Sequence, residues 1–89
     1  MEIEFDPVKE KLNLKNHGLS LSLASELDWG EALVWEDVRE SYGEQRFNAL
    51  VPMGDALYHV TYTERDALRV ISLREAENWE KRRYVRYFS

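Results

Sequence analysis

The sequence predicts an α+β domain, an antiparallel four-stranded sheet with an N-terminal helix (or helices) and a C-terminal helix packed on it. Three observations carry that expectation. Strand-like runs succeed one another from residue 31 to residue 74 with no helical pattern between them, which calls for antiparallel neighbours rather than crossover units. Helical patterns stand at the two ends of the chain, the first with a clear cap at each of its own ends. The 89 residues, 44% of them hydrophobic, supply one small core, hence one domain over 1–89 with two layers at most.

The best-marked element is a hairpin. Residues 57–63 and 68–74 are rich in β-branched and aromatic side chains, and Glu64-Arg65-Asp66-Ala67 between them reads as a short polar loop. Strict alternation along the second strand puts Arg69, Ile71 and Leu73 on one side and Val70, Ser72 and Arg74 on the other. Each face then carries an arginine.

In chain order, residues 2–5 alternate as an edge strand with Ile3 and Phe5 turned inward. Asp6 is suited to cap a helix and Pro7 to open it, while Asn16-His17-Gly18 ends it, with Gly18 as the left-handed residue. Its apolar face is thin, Val8, Leu12 and Leu14, so packing rather than propensity must hold it. Ser20 caps a shorter helix through Leu21, Leu23, Ala24 and Leu27, although residues 19–23 also alternate like a strand. Strands come next at 31–36 and 45–51, with turns at 37–43 and 52–55. The closing helix spans 75–88. On it Ala76, Trp79, Tyr84 and Tyr87 share a face, and Arg82 and Arg86 project away. Arg83 falls on the inward face, to pair with a carboxylate, snorkel past the sheet edge or reach into a cleft between helix and sheet.

Composition excludes several chemistries. There is no cysteine, so neither a disulfide framework nor a thiolate metal site is possible. No His/Asp/Glu set has metal-ligand spacing and no glycine-rich loop suits a nucleotide phosphate, so no metal and no cofactor are expected. Apolar runs are too short to span a membrane and the first residues are acidic, which fits a soluble cytoplasmic protein without membrane contact. The net charge of −5 is uneven: residues 1–45 hold four basic residues against eleven acidic, and residues 46–89 hold eight against six. A polyanion would therefore have to be held by a local arginine cluster, since the charge of the whole chain repels it.

Several stretches together carry a resemblance: Phe5-Asp6-Pro7 with Lys9 and Asn13; His17-Gly18; Asp37-Val38-Arg39, then Tyr42-Gly43-Glu44-Gln45-Arg46; Thr63-Glu64-Arg65; Arg69 through Ala76; and Glu80-Lys81-Arg82-Arg83-Tyr84. In this order they make the chain resemble the BrnT family of toxins from bacterial type II toxin–antitoxin systems. The resemblance implies a RelE-like ribonuclease fold, RNA cleavage that halts translation, and neutralisation by a BrnA-type ribbon-helix-helix antitoxin, with operator DNA reached only through that antitoxin. One position departs. The family usually has a lysine directly before its His-Gly pair, where this chain has Asn16 and carries Lys15 one residue earlier, a step of about 100° around the helix.

Metal-independent RNA cleavage needs a base for the 2′-hydroxyl, an acid for the leaving 5′-oxygen and cations for the charge on the phosphorane. With the resemblance, the expected catalytic set is His17, Glu64, Arg46, Arg65 and Arg74, either His17 or Glu64 serving as the base. Arginine suits the phosphate because its guanidinium grips two oxygens and stays charged. Lys15, Asn16, Arg83 and Tyr84 are expected to contact RNA, with Trp79 a further stacking candidate, although a tryptophan at helical spacing is more usually core. Arg69 ranks below Arg74 because it falls on the other face. His59, inside a strand, reads as a satisfied sheet histidine. The competing function is a catalytically weakened member that only binds its antitoxin, consistent with Asn16 and the acidic balance.

Overall fold

Asp6 accepts the Val8 N–H at 2.7 Å and Pro7 opens helix α1 (Pro7–His17). The helix stops where Gly18 turns left-handed at φ 70° and donates its N–H to the Leu14 carbonyl at 2.9 Å. These features belong to a computed structural model that describes residues 2–89. Both caps are as the sequence predicts, but the docking face is not. Val8, Leu12 and Leu14 are 66, 47 and 47% exposed, and the buried residue of α1 is Asn13. Its Nδ2 donates to the carbonyls of Leu73 (2.7 Å) and Leu19 (2.8 Å), and its Oδ1 accepts the Leu73 N–H at 2.9 Å. Glu10 ties down the segment after the helix, accepting the Leu21 N–H at 2.7 Å and the Ser20 hydroxyl at 2.6 Å. Polar pins therefore replace the thin apolar face.

The sheet corrects the four-stranded expectation. It has five strands, β1 (Ile3–Glu4), β2 (Leu33–Asp37), β3 (Arg46–Met53), β4 (Ala56–Glu64) and β5 (Leu68–Glu75), in the order β1-β5-β4-β3-β2. Strands β2 to β5 are antiparallel, whereas β1 lies parallel to β5 with Ile3 opposite Leu68. A parallel pair between the two ends of a chain has no turn to announce it. Beyond β1, α1 runs along the remaining edge of β5, where the Asn13 amide serves Leu73 as a neighbouring strand would.

A bulge in β5 corrects the alternation as well. Thr61 pairs with Ser72 and Tyr62 with Val70, so Ile71 is an extra residue. Val70 and Leu73 consequently enter the same core, with Ala49, Val51, Tyr58, Val60 and Tyr62. The same slip moves Arg69 to the face that carries Arg74, but at the far end, where it pairs with Glu4 at 3.4 Å. The predicted short helix is a 3-10 turn, Leu21–Glu26, capped by Ser20, and a second stands at Trp29–Glu31. Leu21, Ala24 and Leu27 close the first face of the sheet. Pro52 and Met53 belong to β3, so the turn expected at 52–55 shrinks to Gly54-Asp55, with Gly54 at φ 61°.

The opposite face is divided. Leu33, Leu50, Leu57 and Ala76 form a small second core with Trp35 and Tyr84, and the rest of the face is polar. Helix α2 (Asn78–Tyr87) starts later than residue 75, at a capping box of Glu77 and Glu80. Its expected apolar face is divided: Ala76, just before the helix, is buried and Tyr84 packs on the second core, but Trp79 is 50% and Tyr87 66% exposed, and the buried residue within the helix is Glu80. Among the described residues no helix is long and apolar enough to cross a membrane.

Replacing Asn13 with Ala would orphan the Leu73 N–H and carbonyl. We expect a loss of about 2–4 kcal/mol, against less than about 0.5 kcal/mol for Leu12→Ala, both read by urea denaturation.

Candidate functional site

The register of the sheet lays two polar rows side by side. Trp35, Asn48, Thr61 and Ser72 are cross-strand partners over β2, β3, β4 and β5, and Leu50, His59 and Arg74 form the adjacent row. Their polar members floor a cleft of about 360 Å³ whose rim adds His17 from the end of α1, Arg39 after β2, and Trp79, Glu80 and Arg83 from α2. The chain has two histidines, and both line this cleft.

Arg74 and Glu80 set its geometry. The guanidinium donates from Nη1 to Oε1 at 2.7 Å and from Nη2 to Oε2 at 3.0 Å, and Nη1 also reaches the Glu75 carbonyl at 3.2 Å. Glu80 Oε1 accepts the Glu77 N–H as well, at 2.9 Å. Burial pushes the Glu80 carboxyl up, but the Arg74 fork and the Glu77 N–H together outweigh it and hold the group below its ordinary value, while the bonds to Glu80 raise Arg74. Three of the five N–H donors of Arg74 are thus engaged. The remaining two, Nε–H and the second hydrogen of Nη2, lie parallel on one edge of the guanidinium, a spacing that matches two oxygens of a phosphate.

His59 is not the satisfied sheet histidine the sequence suggests. Among the described residues its buried Nδ1 has no hydrogen-bond partner, and its ring meets Trp35 edge-on at 6.0 Å. Burial, with the Arg74 cation beside it, pushes the imidazole down to about 4, so the ring is neutral at pH 7. Arg83 takes the third of its predicted options and reaches the cleft, its guanidinium 4.3 Å above the Trp35 ring. Arg39 is held by the buried Asp37, through Nε at 2.9 Å and Nη2 at 2.8 Å, and that guanidinium keeps the Asp37 carboxyl far below the usual range against the effect of burial.

Of the residues singled out from sequence, His17, Arg74, Arg83 and the stacking candidate Trp79 come together here. Glu64, Arg46 and Arg65 do not. Glu64, expected in the hairpin loop, is instead the exposed last residue of β4, paired with Leu68, beside a shallow groove with Glu2, Arg65 and Asp66. Arg46 and Arg65 share the carboxylate of Glu44, at 3.4 and 3.2 Å, and Arg46 also stacks on Tyr42 at 4.1 Å. Lys15 and Asn16 are exposed on the last turn of α1, next to His17. Tyr84 lies outside the cleft, packed on the second core with its hydroxyl donating to the Glu31 carbonyl at 2.6 Å. The sequence assigns no site role to His59, Glu80, Arg39, Asn48 or Ser72: cross-strand register gathers Asn48, His59 and Ser72, and the docking of α2 and the turn after β2 add Glu80 and Arg39. The one linear signal of the strand residues is a run of polar residues on a face otherwise suited to a core. Among the described residues no three His, Asp or Glu side chains gather as a metal-binding group.

Two imidazoles and three guanidiniums around one cleft of a small α+β protein are a set suited to a phosphate ester. The comparison with protein families is specific. Residues 5–80 match the model of the BrnT family, described as the ribonuclease toxin of a type II toxin–antitoxin system. The chain belongs to this family. No curated protein matches it.

The electrostatic arrangement has two measurable effects. Unfolded His59 titrates near 6.5 and folded His59 near 4, so between those values the unfolded chain binds the extra proton. Stability is therefore full above pH 6.5 and should fall by roughly 2–3 kcal/mol as the pH drops toward 4. The stabilisation from the depressed Glu80 and Asp37 carboxyls is lost only at lower pH, below their ordinary values of 4.5 and 3.8. Urea denaturation at pH 7.5 and 5.0 should show the loss in the native chain and a smaller one in His59→Gln. Separately, Glu80→Ala leaves Arg74 partly buried and unpaired, and should cost about 3–5 kcal/mol in the same assay at pH 7.5.

Proposed function

We propose that this chain is a metal-independent, RelE-like endoribonuclease toxin that acts on RNA in the cytoplasm, blocks translation, and is neutralised by a BrnA-type ribbon-helix-helix antitoxin. The observation that carries the reading is the convergence of both histidines and of Arg39, Arg74 and Arg83 on one cleft of a molecule whose net charge is −5. Such a chain repels RNA at long range, so cations gathered in one concavity are the feature that binding requires.

In this reading the free edge of Arg74 grips the two non-bridging oxygens of the scissile phosphate and, with Arg83, offsets the charge that builds as the 2′-oxygen attacks phosphorus. Glu80 supports that geometry by fixing the other edge of the guanidinium. Neutral His59 accepts the 2′-hydroxyl proton, and His17 at the rim, when protonated, gives one to the leaving 5′-oxygen. The bond from phosphorus to the 2′-oxygen forms as the bond to the 5′-oxygen breaks, leaving a 2′,3′-cyclic phosphate and a free 5′-hydroxyl. Lys15 and Asn16, beside His17, meet the flanking phosphates. Glu64, Arg46 and Arg65 stand outside this constellation, so the acid–base role that residue type suggests for Glu64 passes to His59.

A labelled RNA incubated with the purified protein in EDTA tests the mechanism. We expect 2′,3′-cyclic ends, a loss of about 10²–10⁴-fold in Arg74→Ala and in His17→Ala, and near-native rates in Glu64→Gln. If the folded protein leaves both naked and ribosome-bound RNA intact, it is a weakened member that only binds its antitoxin, the reading that Asn16 favours.

A further inference from the structure

The floor of the cleft is more elaborate than phosphate chemistry demands. Gripping a phosphate and moving a proton uses Arg74, Arg83 and the histidines, yet the row beside them carries Asn48, Thr61 and Ser72 on three neighbouring strands. In an 89-residue chain a central sheet position is worth most as core. Asn48 is 5% and Thr61 8% exposed, so these polar groups forgo apolar burial. The Thr61 hydroxyl donates to Asn48 Oδ1 at 2.9 Å, which turns that oxygen toward Thr61 and fixes the plane of the amide. Among the described residues the Asn48 Nδ2 and the Ser72 hydroxyl have no protein partner.

Trp79 is the second unusual group. It belongs to neither hydrophobic core, remains 50% exposed at the rim, and is steadied by its Nε1 donating to Glu77 Oε2 at 3.2 Å. An exposed but oriented indole is a stacking face for an unpaired base. The volume of about 360 Å³ lies at the small end for ligand sites and admits one nucleotide rather than several.

We propose that the cleft recognises a single nucleobase beside the scissile phosphate, stacked on Trp79 and read by the Asn48 amide, which selects a keto base, guanine or uracil, over an amino base. The selection arises from the fixed polarity of Asn48. With Oδ1 turned to Thr61, the free hydrogens of the amide are those of Nδ2, and an N–H donor gives its hydrogen to a carbonyl oxygen at the base edge but meets the exocyclic amine of adenine or cytosine donor to donor. This rests on the ribonuclease reading for the position of the phosphate, but recognition itself needs no cleavage.

The test uses non-cleavable 2′-deoxy-substituted oligonucleotides that differ in one central base, with affinity followed by tryptophan fluorescence and by the side-chain amide resonances of Asn48. Guanine and uracil oligonucleotides should bind about tenfold more tightly than adenine and cytosine ones, and shift the Asn48 amide. Asn48→Asp, which turns the donor into an acceptor, should abolish or reverse that order, while Trp79→Ala, a surface change, should weaken all four. Equal binding of the four bases, a keto preference that survives Asn48→Asp, or no binding by folded protein would each overturn the proposal. Selective binding of the non-cleavable strands, without cleavage of the matching RNA in EDTA, would sink the ribonuclease mechanism and leave base recognition standing.

Discussion

Two consecutive residues of β5 hold both helices. Leu73 exchanges backbone hydrogen bonds with the Asn13 amide of α1, and Arg74 forks onto Glu80 of α2. Neither helix brings an apolar stripe to the sheet, and the buried residue of each is the polar one. A buried polar group is tolerable only when its bonding is complete, and completeness has one geometry, whereas apolar contact tolerates sliding. The pins therefore fix α1 and α2 in position as well as in contact. His17, one turn beyond Asn13, and Arg83, nearly one turn beyond Glu80, inherit that fix and face each other over the polar floor.

The division of the two sheet faces reflects the same economy of residues. One face is closed by the 3-10 turns over Val60, Val70, Leu73 and their neighbours and supplies most of the hydrophobic stabilisation. The other spends only Leu33, Leu50, Leu57 and Ala76 on packing, enough to seat the end of α2 near Tyr84. What remains can be polar because the first face already holds the fold. The bulge at Ile71 lets β5 serve both sides, returning Val70 and Leu73 to the core and leaving Ser72 and Arg74 in the cleft.

Electrostatically the cleft differs from the hairpin end of the molecule. Arg46 and Arg65 are tied to Glu44, and Arg69 to Glu4, in exposed or half-exposed pairs that add little stability. Arg83 has an aromatic partner instead of an anion, and Arg74 keeps an edge free although it is fully salt-bridged on the other. Charge that stays uncommitted in a concave, partly dry site acts on a ligand more strongly than the same charge on the surface.

The caps of α1, the order of the elements, the β4–β5 hairpin and the family were legible in the linear chain, because capping, alternation and turn chemistry act over a few residues. His17 and Arg74 could be singled out there, by residue type together with the resemblance to the family. Glu64, Arg46 and Arg65 were equally eligible by type, and only their positions outside the cleft, at Glu44 or at the end of β4, set them apart. The parallel pairing of β1, the slip at Ile71, the burial of Asn13 and Glu80 and the appearance of His59 beside Arg74 were decided by the tertiary structure. Each depends on which residue stands opposite which across strands far apart in sequence, and a slip of one residue in that register sends a side chain to the other face.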